Sequence, residues 1–143
     1  MEVLNSSKIV FCDVDDTLVM WDWRAIDPEG KGLMEIVNPD TNRAEHVMPH
    51  FRHIELLKQF HVRGHTIIVW SQGGAEWAGN VCRALGIEDM VHLAMNKPDW
   101  YIDDLPSSAF MKSPIYLDPT DPKKDSRWGI SHVGETNDKI KDN

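Results

Sequence analysis

The chain has 143 residues, 41% hydrophobic and 27% charged, which suits one folded domain with one core and excludes a disordered or fibrous protein. Fifteen Lys and Arg against 23 Asp and Glu leave a net charge of -8, so long nucleic acid is disfavoured as a partner unless the basic side chains gather on one face. No apolar run approaches the roughly 18 to 20 residues of a membrane span, residues 1–7 lack a basic start followed by an apolar stretch, and two cysteines are too few for a disulfide framework. The expectation is a cytoplasmic protein without a membrane partner.

In chain order, Lys8 to Cys12 is a short apolar run that stops at Asp13, the pattern of a buried parallel strand emerging at a sheet edge. Met34 to Val37 and Arg43 to Val47 flank Asn38-Pro39-Asp40-Thr41-Asn42, which predicts a β-hairpin with a Pro-Asp turn. Between Phe51 and Arg63, Ile54, Leu57 and Phe60 recur at helical spacing, and Gly64 follows as a cap. Thr66 to Trp70 predicts a second buried strand, ending at Ser71-Gln72-Gly73-Gly74. Ala75 to Leu85 places Trp77 and Val81 on one helical face, closed by Gly86. Met90 to Ala94 and Trp100 to Ile102 read as further short strands. Residues 18–50 then form a hairpin flap insert, and residues 118–143 a polar surface-wrapping or mobile tail. The expected fold class is α/β: a Rossmann-like parallel sheet with helices on both faces and a small β-hairpin flap after the first strand.

Three predicted strands end in polar residues: Asp13 and Asp15, then Ser71, then Asp103 with Asp104. In an open parallel sheet the carboxyl ends of the strands form the ligand edge, so these side chains are expected to converge. Several carboxylates at one edge repel unless a cation sits among them, and an all-oxygen set favours magnesium, which in turn suggests phosphate. Lys97 supplies a positive charge for phosphoryl oxygens, while Ser71 and the amides of Gln72 and Gly73 offer donors at a helix start. A calcium loop at Asp13-Val14-Asp15-Asp16-Thr17 fails, because Leu18 stands where the loop glycine belongs and no Glu occupies the twelfth position. A zinc site at His50-x-x-His53 or His61-x-x-x-His65 lacks a matching Cys or Glu cluster.

At these residues the chain resembles the haloacid dehalogenase-like superfamily of phosphohydrolases. Phe11-Cys12-Asp13-Val14-Asp15-Asp16-Thr17-Leu18 is similar to that family's first motif, Ser71 to its second, Lys97-Pro98 to its third and Tyr101-Ile102-Asp103-Asp104 to its fourth. The resemblance covers roughly residues 8–105. It implies that Asp13 is a nucleophile that becomes phosphorylated, and that Asp15 protonates the leaving oxygen and then activates water. It further implies magnesium held by the Asp13 carboxylate, the Asp15 backbone carbonyl and Asp104, with Asp103 in support. Thr17, Ser71, Gln72 and Gly73 are the candidate phosphate-binding residues.

The insert before Phe51 is long enough for a hairpin and too short for a cap domain. The expected activity is a magnesium-dependent phosphomonoesterase acting on a small phosphate ester or nucleotide. Two alternatives are a phosphatase of nucleic-acid ends and a catalytically silent phosphate-binding module; an oligomer is left open. Trp21, Trp23 and Arg24, just beyond the nucleophile loop, are candidates for stacking on a ring and pairing with an anion.

Overall fold

A computed structural model describes residues 7–121. The parallel sheet is built from β1 (Ile9–Asp13), β5 (Thr66–Ser71) and β6 (Leu93–Asn96), in the order β1-β5-β6. Register pairs Asp13 with Trp70 and Ser71 with Asn96, so the strands end together at one carboxyl edge. The second sheet, antiparallel, has the order β2-β4-β3, from β2 (Val19–Met20), β3 (Met34–Asn38) and β4 (Arg43–Pro49). Two helices, α1 (Phe51–Val62) and α2 (Ala75–Ala84), connect the parallel strands.

Both crossovers step in the same direction across the sheet, from β1 to β5 through α1 and from β5 to β6 through α2. Right-handed connections then put both helices on the same face. Burial agrees: Cys12, Ile67 and Val69 share one core with Ile54, Leu57 and Phe60 of α1 and Trp77, Val81 and Cys82 of α2. The alternate strand residues Ile9, Phe11 and Leu93 are exposed, and Phe11 stacks on Trp70 with ring centroids 4.1 Å apart. The expectation of helices on both faces is therefore corrected: among the described residues, helices cover one face. Neither of the two described helices is long and apolar enough to cross a membrane.

The hairpin turns as expected. Asn38 Oδ1 accepts from the Asp40 amide at 3.0 Å, its carbonyl from Asn42 at 2.7 Å, and Asn42 takes a left-handed φ of 56°. It is less of a flap than a wall. Ile36 and Val47 are buried in the main core, β4 runs on to pair with β2, and Asn80 Nδ2 of α2 donates to the Val37 carbonyl at 3.0 Å.

Two further expectations shift. The strand predicted over Met90 to Ala94 lies later, over Leu93–Asn96, because Glu88–Met90 closes into a single 3-10 turn after α2. Trp100 to Ile102 is not a strand at all. These residues are exposed, between Pro98 and Pro106, with no ladder partner among the described residues. A three-residue run gains strand structure only from such a partner. The segment folds on itself instead, with Tyr101 Oη accepting from the Ser107 amide at 2.9 Å and its ring edge-on to Phe110. Of the predicted tail, residues 122–143 lie outside the described residues.

Candidate active site at the carboxyl edge

β1 delivers Asp13 to the sheet edge, half-buried, and the chain then coils around Val14. The Val14 carbonyl accepts from the amides of Thr17, Leu18 and Val19 at 3.2, 2.8 and 3.1 Å. Val14 and Leu18 are wholly buried, so the apolar members of the segment anchor the loop, while Asp15 between them is half-buried and Asp16 exposed. Asp16 takes a left-handed φ of 57°, a conformation that Asp tolerates better than most residues, and its Oδ1 accepts from the Trp21 amide at 3.1 Å. The Asp13 carboxylate receives only Thr17 Oγ1, at 3.4 Å, among the described residues.

Asp15 is held very differently. Its Oδ1 accepts from two indoles, Trp21 Nε1 at 2.9 Å and Trp77 Nε1 at 3.0 Å, and its Oδ2 from Ser71 Oγ at 3.2 Å. Ser71 is fully buried at the end of β5, and Trp77 is buried in α2, so two of these donors are fixed by the core. Two carboxylates separated by one residue thus have opposite surroundings. One has little around it, and the other is fixed on both oxygens.

The start of α2 is closed from across the sheet. Gly73 N donates to Ser71 Oγ at 2.9 Å, Gly74 takes a φ of 106° that only glycine adopts without strain, and Ala75 N donates to Asn96 Oδ1 at 3.1 Å. The amide of Gly73, expected to face phosphate, is therefore engaged by Ser71. Asn96 was not among the sequence candidates, since the strand before it was placed too early to end there. Lys97 continues the ladder through its amide, 2.9 Å from the Ser71 carbonyl, and its ammonium lies over the Trp70 ring at 5.9 Å.

A pair of buried histidines supports the loop from below. His53 Nδ1 lies 2.7 Å from the Thr17 carbonyl and its Nε2 accepts from the Leu117 amide at 2.8 Å; His50 Nε2 lies 2.6 Å from the Leu117 carbonyl and its Nδ1 accepts from the His53 amide at 3.1 Å. Each ring has one donating and one accepting nitrogen, so both are neutral with opposite tautomers, and they stack 3.7 Å apart. Burial, then the neighbouring His50, lowers the pKa of His53 to about 4; burial lowers that of His50 as well. The zinc reading of this pair is displaced by these four hydrogen bonds, which use every ring nitrogen.

No protein-family model, curated protein or solved structure matches the chain.

Two groups of sequence candidates stand elsewhere. Trp23 and Arg24 pack on one another, the guanidinium 4.3 Å above the indole, and Trp23 also lies against Gly30, where an added Cβ would be 3.0 Å away. Trp21 of that trio does reach the site. Asp103 and Asp104 are exposed; the Asp104 side chain and the Leu105 amide, 3.1 Å away, lower the pKa of Asp103. Among the described residues no three His, Cys, Asp or Glu side chains stand close enough together to hold a metal ion. The edge presents Asp13 and Asp15 without Asp103 or Asp104, so the set as placed does not fit the magnesium site that the resemblance implies.

Proposed function

We propose that the chain is a phosphomonoesterase in which Asp13 is the nucleophile and Asp15 the general acid and base. The observation that carries this reading is the asymmetry of the two carboxylates: a lightly engaged Asp13 at the end of β1, beside an Asp15 fixed by Trp21, Trp77 and Ser71. In the first displacement a carboxylate oxygen of Asp13 attacks phosphorus, the ester P–O bond breaks, and the leaving oxygen takes a proton from Asp15. In the second, water attacks the phosphoryl group, Asp15 accepts its proton, and the Asp13 carboxylate is released.

Ser71 suits this alternation because a hydroxyl hydrogen rotates. It donates to Oδ2 of the ionised Asp15 and, by rotating, turns its hydrogen away when that oxygen is protonated, which leaves the Asp15 proton for the leaving oxygen without displacement of a heavy atom. The substrate class is a small phosphate ester or nucleotide. Magnesium dependence belongs to the proposal through the resemblance alone, and neither displacement above is routed through the ion.

The deciding experiment is acid quenching of a single turnover with a radiolabelled phosphate ester. Label retained on the wild-type protein, absent from Asp13→Asn and released by mild base, is the expected result. Turnover without labelled protein, or label persisting in Asp13→Asn, rejects Asp13 as nucleophile. Excess chelator decides the magnesium question separately: loss of turnover brings the ion into the reaction, and full activity removes it from the proposal.

A further inference from the structure

Beside Asp15 lies a cavity of about 240 Å³, lined by Asp15, Trp21, Asn38, Asp40, Gly73 and Trp77. It is smaller than the roughly 300–1,000 Å³ of pockets for drug-sized ligands, so it takes one ring-sized group. Its walls come from three places: the nucleophile loop, the hairpin turn, and the start of α2. Asn38 is already committed, its Oδ1 to the Asp40 amide and its Nδ2 to Glu45 at 3.2 Å. Besides Asp15, the charged residue lining the cavity is Asp40, exposed in the turn, and no Lys or Arg lines it.

The two indoles stand 6.0 Å apart at 35°, both with their N–H groups turned to Asp15. Their rings are thereby held in place; Trp77 is buried, so it is the exposed Trp21 that has ring surface left for a flat or cationic group. A carboxylate rim accepts hydrogen bonds and repels anions.

We infer that this cavity is the leaving-group subsite, and that it selects phosphomonoesters whose alcohol portion is a single ring bearing N–H or O–H donors, neutral or cationic, with no second negative charge. The inference rests on the phosphomonoesterase reading for the place of the phosphoryl group. It reverses the charge expected from the sequence, in which Arg24 was to pair with an anion. It also sets an oligonucleotide end, with its neighbouring phosphates, among the poor substrates.

The test uses matched esters that differ in one substituent: 4-(aminomethyl)phenyl phosphate against 4-carboxyphenyl phosphate. A kcat/KM at least tenfold higher for the amine is expected, arising mostly in KM, with Asp40→Lys reversing the order and Asp40→Asn reducing it. Asp40 is exposed and its structural bond is made by its amide, so these variants are expected to fold; circular dichroism checks it. Equal kcat/KM for the two esters, or a preference untouched by Asp40→Lys, overturns the subsite.

Calorimetry with the product phenols, 4-(aminomethyl)phenol and 4-hydroxybenzoate, separates this failure from that of the parent reading. Tighter binding of the amine to a protein that hydrolyses neither ester keeps the subsite and rejects the phosphatase. Hydrolysis with no discrimination in rate or binding does the reverse.

Discussion

The carboxyl edge of the sheet and the segment from Pro98 to Met111 carry the same kind of sequence signal, an apolar run ended by aspartates, yet only the edge is built into a site. At the edge, Asp13 ends a strand paired along its length with β5, and Asp15 receives donors from residues 6, 56 and 62 positions away. Asp103 and Asp104 end a run with no ladder partner among the described residues, and the partners of the Asp103 carboxylate are its immediate neighbours Asp104 and Leu105. A carboxylate becomes a fixed chemical group when distant parts of the chain converge on it. Sequence spacing locates the aspartates and is silent on whether convergence follows.

The comparison breaks most sharply at Asp13. Asp13→Asn preserves shape and removes the proposed nucleophile, so activity is expected to fall at least a hundredfold, by about 3 kcal/mol or more of transition-state stabilisation, with unchanged melting temperature. A variant retaining a tenth of wild-type activity would transfer the role elsewhere.

The support beneath the edge is the next largest effect. His53→Ala leaves the Thr17 carbonyl and the Leu117 amide without their partner in the core and is expected to cost about 2–4 kcal/mol in urea unfolding. The same residue sets a pH dependence. Its folded pKa of about 4 lies below the ordinary 6.5, so in that interval the unfolded chain binds the extra proton. Stability is full above about pH 6.5 and declines as the pH falls towards 4, by about 3 kcal/mol for His53 alone. The slope of unfolding free energy against pH is expected to be shallower in His53→Gln; an unchanged slope would place the acid sensitivity elsewhere.

Trp77→Phe keeps the ring and removes one of three donors to Asp15. A fall of about tenfold in kcat with a smaller change in KM is expected for a hydrogen bond to a charged group, and a raised KM with kcat unchanged would make the indole a binding residue. Smallest are Asp103→Ala and Asp104→Ala, which are expected to alter stability by less than about 0.5 kcal/mol because both are exposed. Loss of turnover in Asp104→Ala at unchanged stability would show that the segment joins the edge during the reaction, erasing the contrast between the two regions.

Much of the fold was legible because its signals are local. The apolar runs of β1 and β5, the helical spacing of Ile54, Leu57 and Phe60, and the Asn38 to Asn42 turn each declare themselves within a dozen residues. The missed features are relations between distant residues. β2 is two residues long and exists through its pairing with β4; Asn96 caps α2 from 21 residues away; His53 holds Thr17 across 36. The placement of both described helices on one sheet face follows from strand order, which no stretch of sequence states. Of the candidate site, Asp13, Asp15 and Ser71 were placed at the edge by strand ends alone, whereas Trp77 looked like an ordinary core residue, and its indole N–H gave no sign of its target.

The two cysteines offer a way to time the motions of this architecture. Cys12 lies within β1 and Cys82 within α2, both unpaired and buried. Burial, followed by the adjacent Asp13 charge, raises the Cys12 thiol pKa well above its usual range, and burial raises that of Cys82 to about 11. Neither ionises readily in the closed protein, so a thiol reagent must wait for each to open. The labelling rate of Cys12 therefore clocks the breathing of the strand that carries Asp13, and that of Cys82 the lifting of α2. A ligand that fills the cavity lined by Trp21 and Trp77 should slow the second clock more than the first.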